Sequence, residues 1–458
     1  MKANSKKYEI DMCSGGILKK MLLFAVPLML SSILQLLFNA ADVVVVGKFA
    51  GDNSLAAVGS TTALINLLTN LFLGLSVGAN VTAARFYGSK SNNELSKTVH
   101  TAISLSAISG FILTVIGLLF AKQILVLMQT PPEVCDLASI YMRIYFAGMI
   151  PNMIYNFGSA ILRSVGDTKR PLYYLFIAGI INVILNLLFV IVFRMDVAGV
   201  ALATIISQTI SAVLIIRCLM KETGGIQFSF KKLHIDKKIL VVILRIGLPA
   251  GFQGVIFALS NVVIQSSINI FGKTVIAGNS AAANIEGFVY MAMNAFHQAT
   301  ISFVSQNYGA GYHKRINRIF LTALCCVTTV GLVFGNAVVL FGEPLLGIYS
   351  DSKPVIEAGM IRLLMICSPY ALCGIMDVTV GLLRGIGYSI IPTIVSLMGV
   401  CGLRLVWIAT IFQIPEYHTV ESIYISYTIT WTITILANVI CFLCVRKRAY
   451  SKVKPIAA

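Results

Sequence analysis

The sequence predicts an all-α integral membrane protein of twelve transmembrane helices, arranged as two similar six-helix lobes. Three observations carry this. Apolar residues make up 57% of the 458 residues and charged ones only 12%, too few polar groups to cover a water-soluble fold of this size. About a dozen stretches reach the roughly 20 mainly apolar residues that a span requires. The second half also repeats the first. Pro27, Asn39 and Phe49 recur as Pro249, Asn261 and Phe271, and Arg163, Gly166 and Pro171 recur as Arg384, Gly387 and Pro392.

Taken in order, the spans are read at 17–47, 54–84, 98–124, 137–162, 171–193, 198–216, 241–270, 275–306, 319–341, 356–383, 390–412 and 423–445. The first contains Pro27, which allows a kink, and Gln35, Asn39 and Asp42, which the 3.6-residue period sets on one face. No small-residue cleavage pattern follows Lys19–Lys20, so span 1 reads as retained. Span 2 closes at Tyr87–Gly88, which recurs as Tyr308–Gly309 after span 8, as a helix with a glycine stop would. Spans 5 and 6 carry Asn182, Asn186 and Thr204. A polar, basic stretch from about Arg217 to Leu240 then links the lobes, giving residues 1–225 (spans 1–6) and 226–458 (spans 7–12). Six spans per lobe is an even number, so both lobes enter the membrane in the same sense and the repeat is parallel.

The net charge of +17 follows topology. With both termini in the cytoplasm, 26 of the 35 Lys and Arg lie on the inner side. Lys48, Lys122, Arg194, Lys273 and Lys353 lie outside, and Arg143, Arg245, Arg362 and Arg404 within or at the ends of spans. This is the positive-inside bias of a multi-pass cell-membrane protein, and it implies no nucleic-acid partner. Of the ten Cys, only Cys135 falls in an outer loop, so no external disulfide forms within the chain. Cys441 and Cys444 sit in an apolar helix and read as packing rather than metal ligands. No G-x-x-x-x-G-K-[ST] is present, so no ATP drive is expected. No nucleophile–base arrangement occurs on a polar loop, so no enzyme activity or cofactor is expected.

Only Asp42, Glu286 and Asp377 among the acids fall well inside spans, where a charge costs about 3 kcal/mol even on a lenient scale. At about 1.5 Å per residue, Asp42, Asn186 and Thr204 share one depth of the first lobe, with Asn182 one turn deeper. Such a layer suits a proton or Na⁺ equally, with interhelical hydrogen bonding as the plainer alternative. In the second lobe Glu286 and Arg404 lie at similar depth and are expected to pair. No basic residue stands at the depth of Asp377. His297 reads as a satisfied core histidine.

At these residues the chain resembles the multidrug and toxic compound extrusion (MATE) transporters. The resemblance rests on Pro27, on Asn39-Ala-Ala-Asp42 with Leu55-Ala-Ala-Val-Gly59, on Leu162-Arg-Ser-Val-Gly-Asp167 with its counterpart Leu383-Arg-Gly-Ile-Gly387, and on Ala198-Gly-Val-Ala-Leu-Ala-Thr204. It implies a V-shaped pair of lobes that exports small amphipathic, usually cationic compounds in exchange for H⁺ or Na⁺. It implies coupling-ion residues at Asp42, Asn39, Asn182, Asn186 and Thr204, and substrate-lining or conformational roles for Gln35 and Pro27. A second-lobe site would draw on Glu286, Arg404 and Asp377. Many relatives carry a second acid where this chain has Asn186. The alternative within the same superfamily is a lipid-linked oligosaccharide flippase, which would need basic residues facing a wide cavity. Partners are expected to be substrate and membrane lipid, and the chain a monomer.

Overall fold

The computed structural model describes residues 8–128 and 130–452, and among these every regular element is helical. In order they are α1 (Ile17–Phe49), α2 (Asp52–Gly88), α3 (Asn92–Leu127), α4 (Pro132–Ala147), α5 (Met149–Ser164), α6 (Lys169–Leu187) and α7 (Asp196–Lys221). There follow α8 (Lys237–Asn269), α9 (Lys273–Gly309), α10 (His313–Leu340), α11 (Gly342–Gly347), α12 (Lys353–Arg362), α13 (Ala371–Gly385), α14 (Ile390–Ser396), α15 (Leu403–Ala409) and α16 (Val420–Ser451). Three π-helical turns, Leu188–Val192, Leu363–Cys367 and Leu397–Gly402, continue α6, link α12 toward α13 and join α14 to α15. None of these turns was visible in the sequence.

Nine of the described helices are long and apolar enough to cross a membrane, and ten if α12 and α13, bent by 44°, count as one span. Two of the expected spans do not pass by length and composition. One is divided at Gly148 into α4 and α5, each of 16 residues. The other is α9, 37 residues long but carrying Asn279, Asn284, Glu286, Asn294 and His297. Both segments are helical where the sequence expected helix, but polar along their length.

The repeat is present in the backbone. Gly51 and Gly272, 221 residues apart, begin α2 and α9 at φ 90° and 91°, a conformation closed to most side chains. The expected glycine stop is displaced. Gly88 is the last residue of α2, and the left-handed residue is Lys90 at φ 56°. Its counterpart in the second copy is Gly311 at φ 75°. The backbone N–H groups of Lys90 and Ser91 return to Tyr87 O and Phe86 O, and this capping geometry sets the left-handed position two residues after the helix.

Packing divides the chain into two compact units: Met1–Asp11 with Leu30–Gly251, and Met12–Met29 with Phe252–Ala458. These differ from the sequence division at 225/226 because two helices contribute to both. The boundaries fall two residues after each repeat-related proline, Pro27 in α1 and Pro249 in α8. In unit 1, α2 and the first half of α8 approach through glycines. A Cβ on Gly78 would lie 2.3 Å from Ile243 O, and one on Gly247 would lie 2.6 Å from the Leu75 Cα. Contact this close between backbones is how small residues hold membrane helices together without a hydrophobic drive. The unit 1 core joins α3, α4, α5 and α7 around Leu113, Phe146, Met149, Phe157 and Ile215, all fully buried. In unit 2, the first half of α1 buries Met21 and Phe24, and the Phe24 ring meets Phe303 edge-on at 5.7 Å.

Candidate functional site

Unit 1 places its polar layer across three helices. Asp42 of α1, Asn182 and Asn186 of α6 and Thr204 of α7 form one hydrogen-bonded chain. Asn186 Nδ2 donates to Asp42 Oδ1 and shares Asn182 Oδ1 at 3.3 Å. Asn182 Nδ2 reaches Thr204 Oγ1 at 3.4 Å, and Thr204 in turn donates to Val200 O at 3.0 Å. Asn182 and Asn186 are one helical turn apart, so one face of α6 supplies both amides. The π turn at Leu188–Val192 starts two residues after Asn186, a distortion often found beside functional positions.

Asp42 makes no ion pair among the described residues. Asn186 is fully buried, and its Oδ1 has no hydrogen-bond partner there. An acid without a cation, beside an unused amide oxygen, is a donor set that accepts a proton or coordinates a hard monovalent cation.

Three residues join this site that sequence pattern did not single out. Tyr141 and Tyr145, stacked one turn apart on α4 at 5.9 Å, lie within electrostatic reach of Asp42. The Tyr145 hydroxyl also hydrogen-bonds the Gln208 side chain of α7. Seventeen tyrosines spread through the chain hid these two; only the fold brings α4 to the layer. Asn39 and Gln35, on the Asp42 face of α1, are exposed and outside the hydrogen-bonded chain. Pro27 is buried inside α1.

Unit 2 corrects the expected pairing of Glu286 with Arg404. Glu286 of α9 is held by Arg362, whose Nη2 and Nε reach Oε2 at 2.7 and 3.2 Å. The Tyr370 hydroxyl donates to Oε1 at 2.9 Å. Arg362 Nη1 donates to Asn279 Oδ1 at 2.7 Å, which also accepts from Tyr424 at 3.0 Å. Arg404 instead donates to Thr430 Oγ1 at 3.1 Å and lies 3.7 Å from the Tyr427 ring centroid.

Depth along the helices misled because arginine is long. Gly278 of α9 packs on Val355 and Gly359 of α12. From that crossing Glu286 is two turns farther along α9 and Arg362 about one turn along α12. The guanidinium stem spans the difference.

Asp377 of α13 hydrogen-bonds Tyr290 and lies within electrostatic reach of Arg384, two turns along its own helix. Its backbone carbonyl meets His297 Nδ1 at 2.6 Å, so the histidine is anchored to a neighbouring helix. Arg384 Nη2 donates to Gln253 Oε1 at 2.8 Å.

Known proteins place this architecture. The chain is similar to the probable multidrug resistance protein YoeA of Bacillus subtilis (strain 168), 26% identical over 430 residues and covering 92% of each chain. It is 24% identical to a FAD transporter of Shewanella oneidensis, covering 79% of this chain and 81% of that one. In fold it matches an outward-facing multidrug resistance MATE family transporter of the MOP superfamily, with a TM-score of 0.86 at 23% identity, covering 96% of this chain and 98% of the other. The MatE family model matches residues 27–188 and 249–410, one stretch in each copy of the repeat. The chain belongs to the MATE family of multidrug efflux transporters, and is a transporter rather than an enzyme.

Proposed function

We propose that this chain exports small amphipathic, cationic compounds across the cell membrane in exchange for H⁺ or Na⁺. In this reading the Asp42–Asn186–Asn182–Thr204 layer is the coupling-ion site. The observation that carries it is the acid without a cation: Asp42 contacts an amide, while Glu286 is neutralised by Arg362. When the coupling ion occupies the layer, Asp42 is neutralised and its pull on Asn186 weakens. Pro27, which removes one backbone hydrogen bond from α1, gives the helix a place to respond. Tyr141 and Tyr145 present aromatic faces near the same acid, a surface suited to organic cations.

In unit 2, Glu286 has a structural part. Asp377 is the second-lobe acid open to ion binding, since among the described residues its side chain hydrogen-bonds only a tyrosine. The distribution of 26 Lys and Arg on one side supports cytoplasmic termini. The chain is proposed to work as a monomer.

The test is substrate efflux from proteoliposomes under an imposed pH gradient and then an Na⁺ gradient, with Asp42→Asn and Glu286→Gln in parallel. Asp42→Asn is expected to abolish efflux under whichever gradient drives the wild type, with the protein still folded. Gradient-driven efflux that survives Asp42→Asn refutes the site.

A further inference from the structure

One end of unit 1 carries two cations, and one acid paired to the first of them, beside a largely apolar surface. Lys122 and Gln123 of α3 and Arg143 of α4 line, with Val126, an open cleft of about 430 Å³. Around it Val115, Leu118, Leu119, Val126 and Leu127 of α3 and Ile140 of α4 are exposed, and exposed apolar surface on a spanning helix is solvated by acyl chains. Lys122 lies five residues before the end of α3, hence about 7.5 Å from it. The two helices are registered by Thr114 Oγ1 donating to Phe146 O at 2.7 Å and by Gly117 against the Phe146 ring. From Phe146, Arg143 lies one turn toward the α3–α4 connection, which brings it within electrostatic reach of Lys122.

The charges there do not balance. Lys122 Nζ pairs with Asp136 Oδ1 at 2.9 Å. Arg143 has neither a hydrogen bond nor an ion pair among the described residues. A guanidinium on a lipid-facing surface is costly unless something neutralises it, and its planar fork matches phosphate oxygens. The depth is that of a headgroup, and basic pockets between spanning helices bind such groups.

We propose that Lys122, Gln123 and Arg143 hold the phosphate of a membrane phospholipid whose acyl chains lie along the exposed face of α3 from Leu119 toward Val115. The site lies on a different face of α3–α4 from the Asp42 layer, so it stands whether or not that layer binds the coupling ion.

Native mass spectrometry of the detergent-purified full chain tests this. The probes are phosphatidylglycerol, a diacylglycerol with the same acyl chains, and inorganic phosphate. Wild type is expected to keep one phosphatidylglycerol that neither of the other probes replaces. Arg143→Gln weakens that lipid by about tenfold, as loss of a charge-assisted contact does, and Arg143→Lys keeps most of the affinity. An unchanged lipid affinity in Arg143→Gln, with an unchanged melting temperature, overturns the proposal. Diacylglycerol binding as well as the phospholipid would reduce the site to an apolar groove and also overturn it. Displacement by inorganic phosphate would make it a free-anion site, which equally overturns a lipid assignment.

Discussion

The ion pair of Glu286 with Arg362 allows a double-mutant cycle whose size follows from geometry. Both side chains are nearly buried, at 13% and 9% exposed. Two charges roughly 4 Å apart attract by about 4 kcal/mol at an effective dielectric of 20, and removing one member of a buried pair costs about 3–5 kcal/mol. Glu286→Gln leaves Arg362 charged, with only Asn279 and neutral oxygens to face. Arg362→Met leaves Glu286 with the Tyr370 hydroxyl alone. Removing both leaves no orphaned charge, and Tyr424 still donates to Asn279. The double variant is therefore expected within about 1 kcal/mol of wild type, with a coupling energy of about 5 kcal/mol or more.

Reversible unfolding in mixed detergent–SDS micelles, followed by tryptophan fluorescence, reads this locally. Trp431 packs 5.6 Å from Tyr370, which itself holds Glu286. Arg404 makes no hydrogen bond or ion pair with Glu286 and feels it only at longer range, so Arg404→Leu should couple to Glu286→Gln far more weakly. Additive single losses in the double variant, or equal coupling to Arg404, would refute the assignment of Arg362 as the partner.

Three further outcomes follow from packing and backbone. Gly78→Val drives a side chain into Ile243 O; it should cost unit 1 about 1–3 kcal/mol or prevent folding, while Gly59→Ala, which meets nothing within 4 Å, leaves the melting temperature unchanged. Lys90→Gly relieves the left-handed residue at φ 56° and should stabilise the chain by about 0.5–1 kcal/mol, measured in the same SDS titration. Asp236 accepts the backbone N–H groups of Lys238 and Ile239 at 2.9 and 3.1 Å, and these bonds hold its carboxyl below the usual 3.8. A lowered folded value means that the stabilisation is complete above the unfolded value and is lost as pH falls through the folded one. Asp236→Ala should therefore lower the melting temperature at pH 7 and match wild type once the pH is below both values.

How much of this was legible in the sequence depends on the range of the interaction. The spans were, because apolar length and the repeat of prolines and glycines are written along the chain. The Asp42 layer was too, since Asn182 and Asn186 share a face by period alone and Thr204 lies at their depth. Tyr141, Tyr145 and Gln208 were not, because nothing local marks a tyrosine that tertiary packing carries to an acid. The partner of Glu286 was misassigned because depth was counted at Cα, whereas Arg362 acts a turn away from its backbone. The cap at Lys90 was misplaced onto Gly88 because residue type, and not hydrogen-bond geometry, was the guide. The π turns leave no pattern of their own.

The crossing of units within α1 and α8 bears on how such a chain can be made. A chain cut in the linker would not yield two self-sufficient halves. The fragment ending at residue 225 lacks Gly247 and Gly251, which fill the groove of α2, and the remainder lacks Met21 and Phe24. During synthesis the first unit is incomplete until residue 251 has emerged. The opening half of α1, made first of all, finds its own core only when the second copy arrives. Duplication has left each copy unfinished without a piece of the other.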